Sequence, residues 1–257
     1  MVQSEVPILV INMDRSTDRL QQISDRLGKL DLIFERVPAI SGKMLTSIEK
    51  KRINPKRSWL QMNDDEIGCY LSHLKAIRIV ADRKLPRAII LEDDAAFDED
   101  FPVWARFDCP LPDDADVLKL EGFGAKDALK VPVLNCNNRV IQFSYKPTGG
   151  AAAYLITLEG ARKALKALDV MRGEIDYDLT AYWRTGLVVY DVSPFPARQS
   201  VASIKFREHP KRTVGYRLGR KILKLSDKIG RFNFAIRKFG IQTLLAHPRK
   251  RGPVATL

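Results

Sequence analysis

Short β-branched apolar runs alternate with amphipathic segments over the first 200 residues, and this alternation is the strongest constraint on what the chain can fold into. Val6 to Asn12 has the pattern of a buried strand that ends in a polar residue. Ser16 or Thr17 can then cap a helix in which Leu20, Ile23, Leu27 and Leu30 recur every three or four residues. Phe34 to Ile40 reads as a second strand, so the chain opens β-α-β. The polar, basic stretch from Ser41 to Met62, with Asn54-Pro55 inside it, is expected to be a loop or lid. From Asp64 to Ile77, acids occupy a first helical turn while Ile67, Leu71, Leu74, Ile77 and Ala81 share a face. Further strands are expected at Arg87 to Leu91, Asp116 to Leu120, Arg139 to Phe143, Ala152 to Thr157 and Leu187 to Val192, and helices at Glu159 to Leu168 and Asp178 to Trp183. Such an order predicts an α/β sandwich around a mostly parallel sheet.

Charge divides the chain. Of 43 Lys and Arg and 31 Asp and Glu, residues 205–257 hold 15 basic and two acidic side chains, a net +13, whereas residues 1–204 sum to −1. The expected organisation is therefore a neutral body over 1–204 and a basic helical tail over 205–257. The run Val6 to Ile11 is too short for a signal-peptide core, and no segment approaches the roughly 18 consecutive apolar residues of a membrane span. A cytosolic chain is expected. Three cysteines (Cys69, Cys109 and Cys136), without CxxC spacing, read as reduced thiols rather than a disulfide framework or zinc site.

Three consecutive carboxylates, Glu92-Asp93-Asp94, follow directly on the apolar run Arg87 to Leu91. Adjacent carboxylates oppose one another's ionisation, and a divalent cation is the usual compensation. In an α/β sheet, ligands bind at the carboxyl ends of strands, so these oxygens stand where a nucleotide's phosphates would lie. Alternation along extended chain sends Glu92 and Asp94 to one side and Asp93 to the other. A solvated acidic loop, continued by Asp98, Glu99 and Asp100, is the alternative.

Four blocks carry a family likeness: Val10-Ile11-Asn12-Met13-Asp14-Arg15-Ser16-Thr17-Asp18-Arg19-Leu20, Glu66-Ile67-Gly68-Cys69-Tyr70-Leu71-Ser72-His73, Ile90-Leu91-Glu92-Asp93-Asp94-Ala95, and Thr148-Gly149-Gly150-Ala151-Ala152-Ala153-Tyr154-Leu155-Ile156 with Gly160-Ala161. In order and spacing they span about residues 6 to 200, and the body resembles glycosyltransferase family 25. These are lipopolysaccharide glycosyltransferases related to bacterial β-galactosyltransferases and to collagen galactosyltransferases. The resemblance implies a GT-A, Rossmann-like nucleotide-sugar-binding sandwich in which a DxD-like triplet holds Mn²⁺ (or Mg²⁺) against the diphosphate of a UDP-sugar. It makes Asp94 the first choice for the metal, with Glu92 as a second ligand, and Glu92 or Asp93 a contact to the ribose or to a metal-bound water.

The same likeness points to donor binding by Asn12, Arg15 and Arg19 at the first strand-helix junction, where a helix N-terminus meets an anion. It places Ser72 and His73 near the donor phosphates or the acceptor, and Gly149 and Gly150 in a loop touching the sugar. For these residues a solvated helix face, core packing and a plain tight turn are the respective alternatives, and Glu66 can serve simply as a helix cap. Asp176, with Asp178 in reserve, is expected to take the proton from the acceptor hydroxyl in an inverting transfer. Helix N-capping is the other use of those two residues. Tyr177, Tyr182 and Trp183 offer stacking faces or core packing.

In the tail, Leu218, Ile222, Leu225 and Ile229 recur on one helical face beside Arg217, Arg220, Lys221, Lys224 and Lys228. A basic amphipathic helix fits an anionic membrane surface, so the protein is expected to sit peripherally at the inner face of the cytoplasmic membrane near a lipid-linked oligosaccharide acceptor. A hairpin packed on the body is an alternative, and a nucleic-acid arm is the weaker one. The expected reaction is transfer of galactose from UDP-galactose to a lipopolysaccharide-type oligosaccharide, with a metal-dependent phosphohydrolase as the competing chemistry.

Overall fold

The structure, a computed structural model, describes residues 6–55, 62–106, 108–124, 129–200 and 214–246, with side chains described over 224–241 of the last segment. In chain order these form β1 (Ile8–Asn12), α1 (Thr17–Gly28), β2 (Glu35–Pro38), a 3-10 turn (Gly42–Met44), α2 (Ser47–Ile53), α3 (Asp64–Asp82), β3 (Arg87–Glu92), β4 (Ala95–Phe97) and α4 (Pro102–Ala105). Then follow β5 (Val117–Lys119), β6 (Lys130–Cys136), β7 (Arg139–Ser144), β8 (Ala153–Thr157), α5 (Leu158–Ala167), α6 (Ile175–Leu179), α7 (Tyr182–Thr185), β9 (Val189–Ser193), β10 (Ala197–Gln199) and α8 (Val214–Ala246).

Eight strands make one sheet in the order β2-β1-β3-β8-β5-β9-β7-β6, and β4 pairs with β10 in a second, two-stranded sheet. The α/β expectation is met, but the large sheet is mixed rather than mostly parallel. β1 runs parallel to β2 and β3, and β5 to β9, whereas β8 returns between β3 and β5 and opposes both. The β6–β7 hairpin is also antiparallel, turning through Asn137 in the left-handed region at φ 52. Asn tolerates that conformation, which two-residue hairpin turns require. β6 escaped the sequence pattern because Pro132 and a register shift interrupt its alternation.

β1 is buried along its whole length, as an apolar run covered on both faces must be. Ile23 and Leu27 of α1 and Ile67, Ala76, Ile77 and Val80 of α3 lie in the same core. α3 starts at a capping box: the Asn63 side chain accepts from the Glu66 backbone N–H and the Glu66 carboxylate accepts from that of Asn63. Glu66 is thus a cap. The segment expected to be a loop contains α2, begun by a second capping box between Thr46 and Glu49; residues 56–61 of it lie outside the described residues. The helix expected over Asp178 to Trp183 is split into α6 and α7.

Two expectations need correction. Cys109 and Cys136 are joined as a disulfide, with Cα atoms 5.7 Å apart, and Cys69 stays outside it, half-buried. The pairing links residues 27 apart in sequence, and no spacing rule reveals it. The basic tail, in turn, is no free arm. The 204/205 boundary lies outside the described residues, but α8 packs on the body. Ala235 is fully buried, and the Phe234 and Phe239 rings lie 6.0 and 4.8 Å from that of Phe143 in β7. Lys238 pairs with Asp114, and α8 is broken at Gly240, where φ is 75°. Over residues 224–241 the tail lies on the body as one helix kinked at Gly240, not as a hairpin. Among the described residues, no helix is long and apolar enough to cross a membrane.

Candidate active site

Because β8 runs against β3 with Leu91 opposite Ala153, the loop before β8 and the end of β3 meet at one edge of the sheet. A cavity of about 1050 Å³ opens there, lined among others by Cys69, Glu92, the Lys146–Ala151 loop, Asp176, Tyr177 and Trp183. α8 closes its other side with Lys224, Asp227, Lys228 and Arg231.

The acidic triplet runs from the last residue of β3 into a turn at Asp93-Asp94, so strand alternation does not extend through it, and only Glu92 of the three lines the cavity. Asp93 is buried and turned toward β1, accepting from Asn12 Nδ2 at 2.8 Å and from Arg19 at 3.2 Å. Asn12 in turn accepts from Arg36 Nε at 3.0 Å. Glu92 faces the cavity, 3.3 Å from His73 Nε2, while His73 Nδ1 lies 3.0 Å from the Tyr154 hydroxyl. Asp94 is buried, and its backbone carbonyl accepts from the Ser200 N–H. Arg15 is exposed. Ser72 serves the fold: its hydroxyl accepts from the Ile40 N–H and donates to the Gly68 carbonyl, away from the cavity lining.

Asp176 sits at the start of α6, half-buried in the cavity wall, and its Oδ2 accepts from the Gly150 N–H at 2.8 Å. Asp178 does not line the cavity. It is 1% exposed and engaged by the Tyr70 hydroxyl, the Arg172 and Gly173 N–H groups and the Arg184 guanidinium. Burial raises its pKa against the pull of Arg184. A carboxylate so enclosed holds α6 in place and cannot reach a substrate.

The Thr148–Gly150 loop is held from below. Lys119, fully buried in β5, donates to the Thr148 and Gly149 carbonyls at 2.9 and 2.8 Å. Burial lowers its pKa, and Asp191, Glu121 and Asp176 oppose that shift. Glu121 accepts from the Ala152 N–H at 3.2 Å, and burial pushes its carboxyl up to about 7 although Lys119 pulls it down. Gly150 has φ +91°, and a Cβ there would run into the Glu121 carboxylate; one on Gly149 would stand 2.8 Å from the Phe123 ring. The left-handed φ makes glycine the fitting residue at 150, whereas a side chain at 149 would have to displace the exposed Phe123 ring.

A family model described as glycosyltransferase family 25 (LPS biosynthesis protein) matches residues 5–180. The chain belongs to glycosyltransferase family 25. A Haemophilus influenzae protein named as a glycosyltransferase is 31% identical over 168 residues, covering 63% of this chain and 59% of that one. Human procollagen galactosyltransferase 2 is 30% identical over 177 residues, 62% of this chain and 27% of its own length. The lacto-N-neotetraose biosynthesis glycosyltransferase LgtE of Neisseria meningitidis is 27% identical over 210 residues, 77% and 75% of the two chains. The chain thus spans well under two thirds of the first two relatives.

In this family 25 chain the structure brings Glu92, Gly149, Gly150 and Asp176 to one cavity, joins Asn12, Arg19 and Asp93 in a hydrogen-bonded group outside its lining, and leaves Ser72, His73, Asp94 and Asp178 outside the lining as well. Tyr177 and Trp183 line the cavity, but Tyr182 is core, packed on Phe143 and Phe234. Sequence reading missed Lys119, Glu121 and Asp191, and assigned Lys224 and Lys228 of α8 to a membrane surface rather than to this cavity. The signal for the first two was a pair of charges interrupting the apolar run Val117-Leu118-Lys119-Leu120-Glu121.

Proposed function

We propose that this chain is a metal-dependent inverting glycosyltransferase that moves galactose from UDP-galactose to a lipopolysaccharide- or lipooligosaccharide-type acceptor at a membrane. The observation that carries this reading is the convergence of Glu92, the Thr148–Gly150 loop and Asp176 on one cavity at the carboxyl end of β3. The names of the procollagen galactosyltransferases support galactose, and that of LgtE supports an oligosaccharide acceptor.

Glu92 in the cavity wall and Asp94 two residues on are the carboxylates that would hold Mn²⁺ or Mg²⁺, hard cations that take carboxylate oxygens. When bound, such an ion supplies charge neutralisation to the departing diphosphate. Arg19, whose side chain is half-exposed beside Asp93, is the contact to the nucleotide in this reading, while the buried Asn12, bonded to Ser16, Asp93 and Arg36, holds Asp93 in place. The acceptor hydroxyl attacks the anomeric carbon, its proton passes to Asp176, and the bond from that carbon to the UDP oxygen breaks, inverting the centre without a covalent enzyme intermediate. The Gly150 N–H holds the Asp176 carboxylate in position throughout.

On α8, Leu225, Ile229 and Phe232 are exposed, at spacings of four and three that put them on one face. This outward apolar stripe, with Lys224 and Lys228 beside it, supports docking on an anionic membrane surface at the inner face of the cytoplasmic membrane. The deciding experiment is a panel of nucleotide sugars with Mn²⁺, assayed for nucleotide release with and without truncated oligosaccharide acceptors. Acceptor-dependent release from UDP-galactose is expected. Release that ignores the acceptor would instead identify a phosphohydrolase.

A further inference from the structure

The cavity has two unlike ends. At the end of β3 it carries Glu92, next in the chain to the buried Asp93 that accepts from Asn12 and Arg19. Toward α8 it gains Lys224, Lys228 and Arg231, with Lys146 of the β7–β8 loop also in the lining. α8 lies against β7 and α7, on the half of the sheet away from β1.

The placement of these cations is built. Asp227, 4% exposed, accepts from Trp183 Nε1 at 2.8 Å and from the Tyr177 hydroxyl, which fixes the rotation of α8 over the cavity. Gly230 lets the helix approach Trp183: a Cβ there would stand 2.6 Å from the indole. One turn on, the Arg231 guanidinium stacks 4.9 Å over the same ring, and its buried Nε has no hydrogen-bond partner among the described residues. Asp227 is committed to Trp183 and Tyr177. The acids remaining in the cavity wall are Asp65, Glu66, Glu92, Glu174 and Asp176. Glu66 caps α3, Glu92 faces His73, and Asp176 is bound to Gly150.

We propose that Lys224, Lys228 and Arg231 form a subsite for an anionic group, a phosphate or carboxylate, borne by the acceptor saccharide. This rests on the transferase reading and adds the acceptor's charge to it. Such a group gains charge-assisted hydrogen bonds from three cations on one flank of a helix. It would orient a sugar hydroxyl toward Asp176, the neighbour in sequence of the Tyr177 that anchors α8. The donor diphosphate is the other source of the same chemistry, but the donor end of the cavity lies at the end of β3.

Equilibrium dialysis of the full chain with glucose 6-phosphate and with glucose, each with and without saturating UDP and Mn²⁺, tests the assignment. The expected result is that the phosphate ester binds about tenfold or more tightly than glucose, and that UDP does not displace it. Lys224→Gln/Lys228→Gln should remove the preference while leaving UDP affinity unchanged. Equal binding of the two sugars, or a preference that survives in the double variant, would overturn the subsite. Displacement by UDP, or loss of UDP affinity in the double variant, would reassign the cations to the donor. Failure of UDP and UDP-galactose to bind at all, with the phosphate preference intact, would sink the transferase reading and leave the anion site standing.

Discussion

The carboxylate of Asp176 and the backbone N–H of Gly150 are hydrogen-bonded at 2.8 Å, so the acidic start of α6 and the glycine loop before β8 form one unit. Asp176→Asn keeps an acceptor oxygen for that N–H but removes the proton acceptor. Turnover should fall by roughly 10²-fold or more with little change in donor affinity. Asp178→Ala should behave differently, stranding Arg184 and the Tyr70 hydroxyl and costing about 3–5 kcal/mol of stability. Thermal unfolding alongside steady-state kinetics separates the two. A kinetic defect in Asp178→Asn at unchanged stability would exchange their roles.

Glu92→Gln and Asp94→Asn should each abolish metal-stimulated transfer while leaving the fold intact, since each removes one hard oxygen ligand. Titration of Mn²⁺ followed by its electron paramagnetic resonance signal reads the loss directly. Near wild-type turnover of Asp94→Asn in the presence of EDTA would refute the assignment.

Glu121 gives a pH dependence whose sign is fixed. Its carboxyl is raised by burial to about 7, against about 4.3 in an unfolded chain. Between those values the folded state binds the extra proton. The contribution is therefore fully present below about pH 4.3 and is lost as pH rises through 7, by up to about 3–4 kcal/mol. Glu121→Gln retains an acceptor for the Ala152 N–H and should not show the loss. The difference between the two Tm–pH curves should thus slope from pH 5 to 7 and level off above it. A flat difference would show that Glu121 ionises normally.

The two faces of α8 should separate on mutation. Phe234→Ala and Phe239→Ala uncover Phe143 and should each cost about 2–4 kcal/mol, seen as a lower Tm. Leu225→Glu, Ile229→Glu and Phe232→Glu alter only the outward stripe. Together they should abolish sedimentation with anionic vesicles while leaving Tm and transfer to a soluble acceptor unchanged. Binding of the unaltered chain should weaken as salt rises. Unimpaired vesicle binding by the triple variant would refute the docking face.

How much of this was readable beforehand follows from the range of each interaction. The strands β1, β3 and β8 and the helices α1 and α3 announce themselves because burial acts through local periodicity, which the side chains of Ile23, Leu27, Ile67 and Ile77 display. The division of Glu92, Asp93 and Asp94 was not legible in this way, because β3 ends at Glu92 and the next two residues form a turn. Nor was the antiparallel return of β8, because strand direction is set by where the chain crosses over. The sequence reading places Asp176 before Asp178, but the environments that separate them could not be read from the sequence. One faces a cavity and the other Arg184 and Tyr70, and Tyr70 lies 108 positions away in the chain. Lys224 and Lys228 look like a solvated helix flank until Trp183 and Asp227 fix how that helix is turned.

The buried Lys119 also constrains how such a sequence can change over time. Its ammonium faces Glu121 and Asp191 in the core and holds two loop carbonyls. Substituting it alone strands the two carboxylates, and substituting either carboxylate alone removes part of what keeps the ammonium charged. A lineage carrying this trio must keep all three or replace them together, so positions 119, 121 and 191 should covary. An engineer who fills them with apolar residues of equal volume should obtain a tougher protein whose glycine loop has lost its anchor, exchanging activity for durability at positions that never touch the substrate.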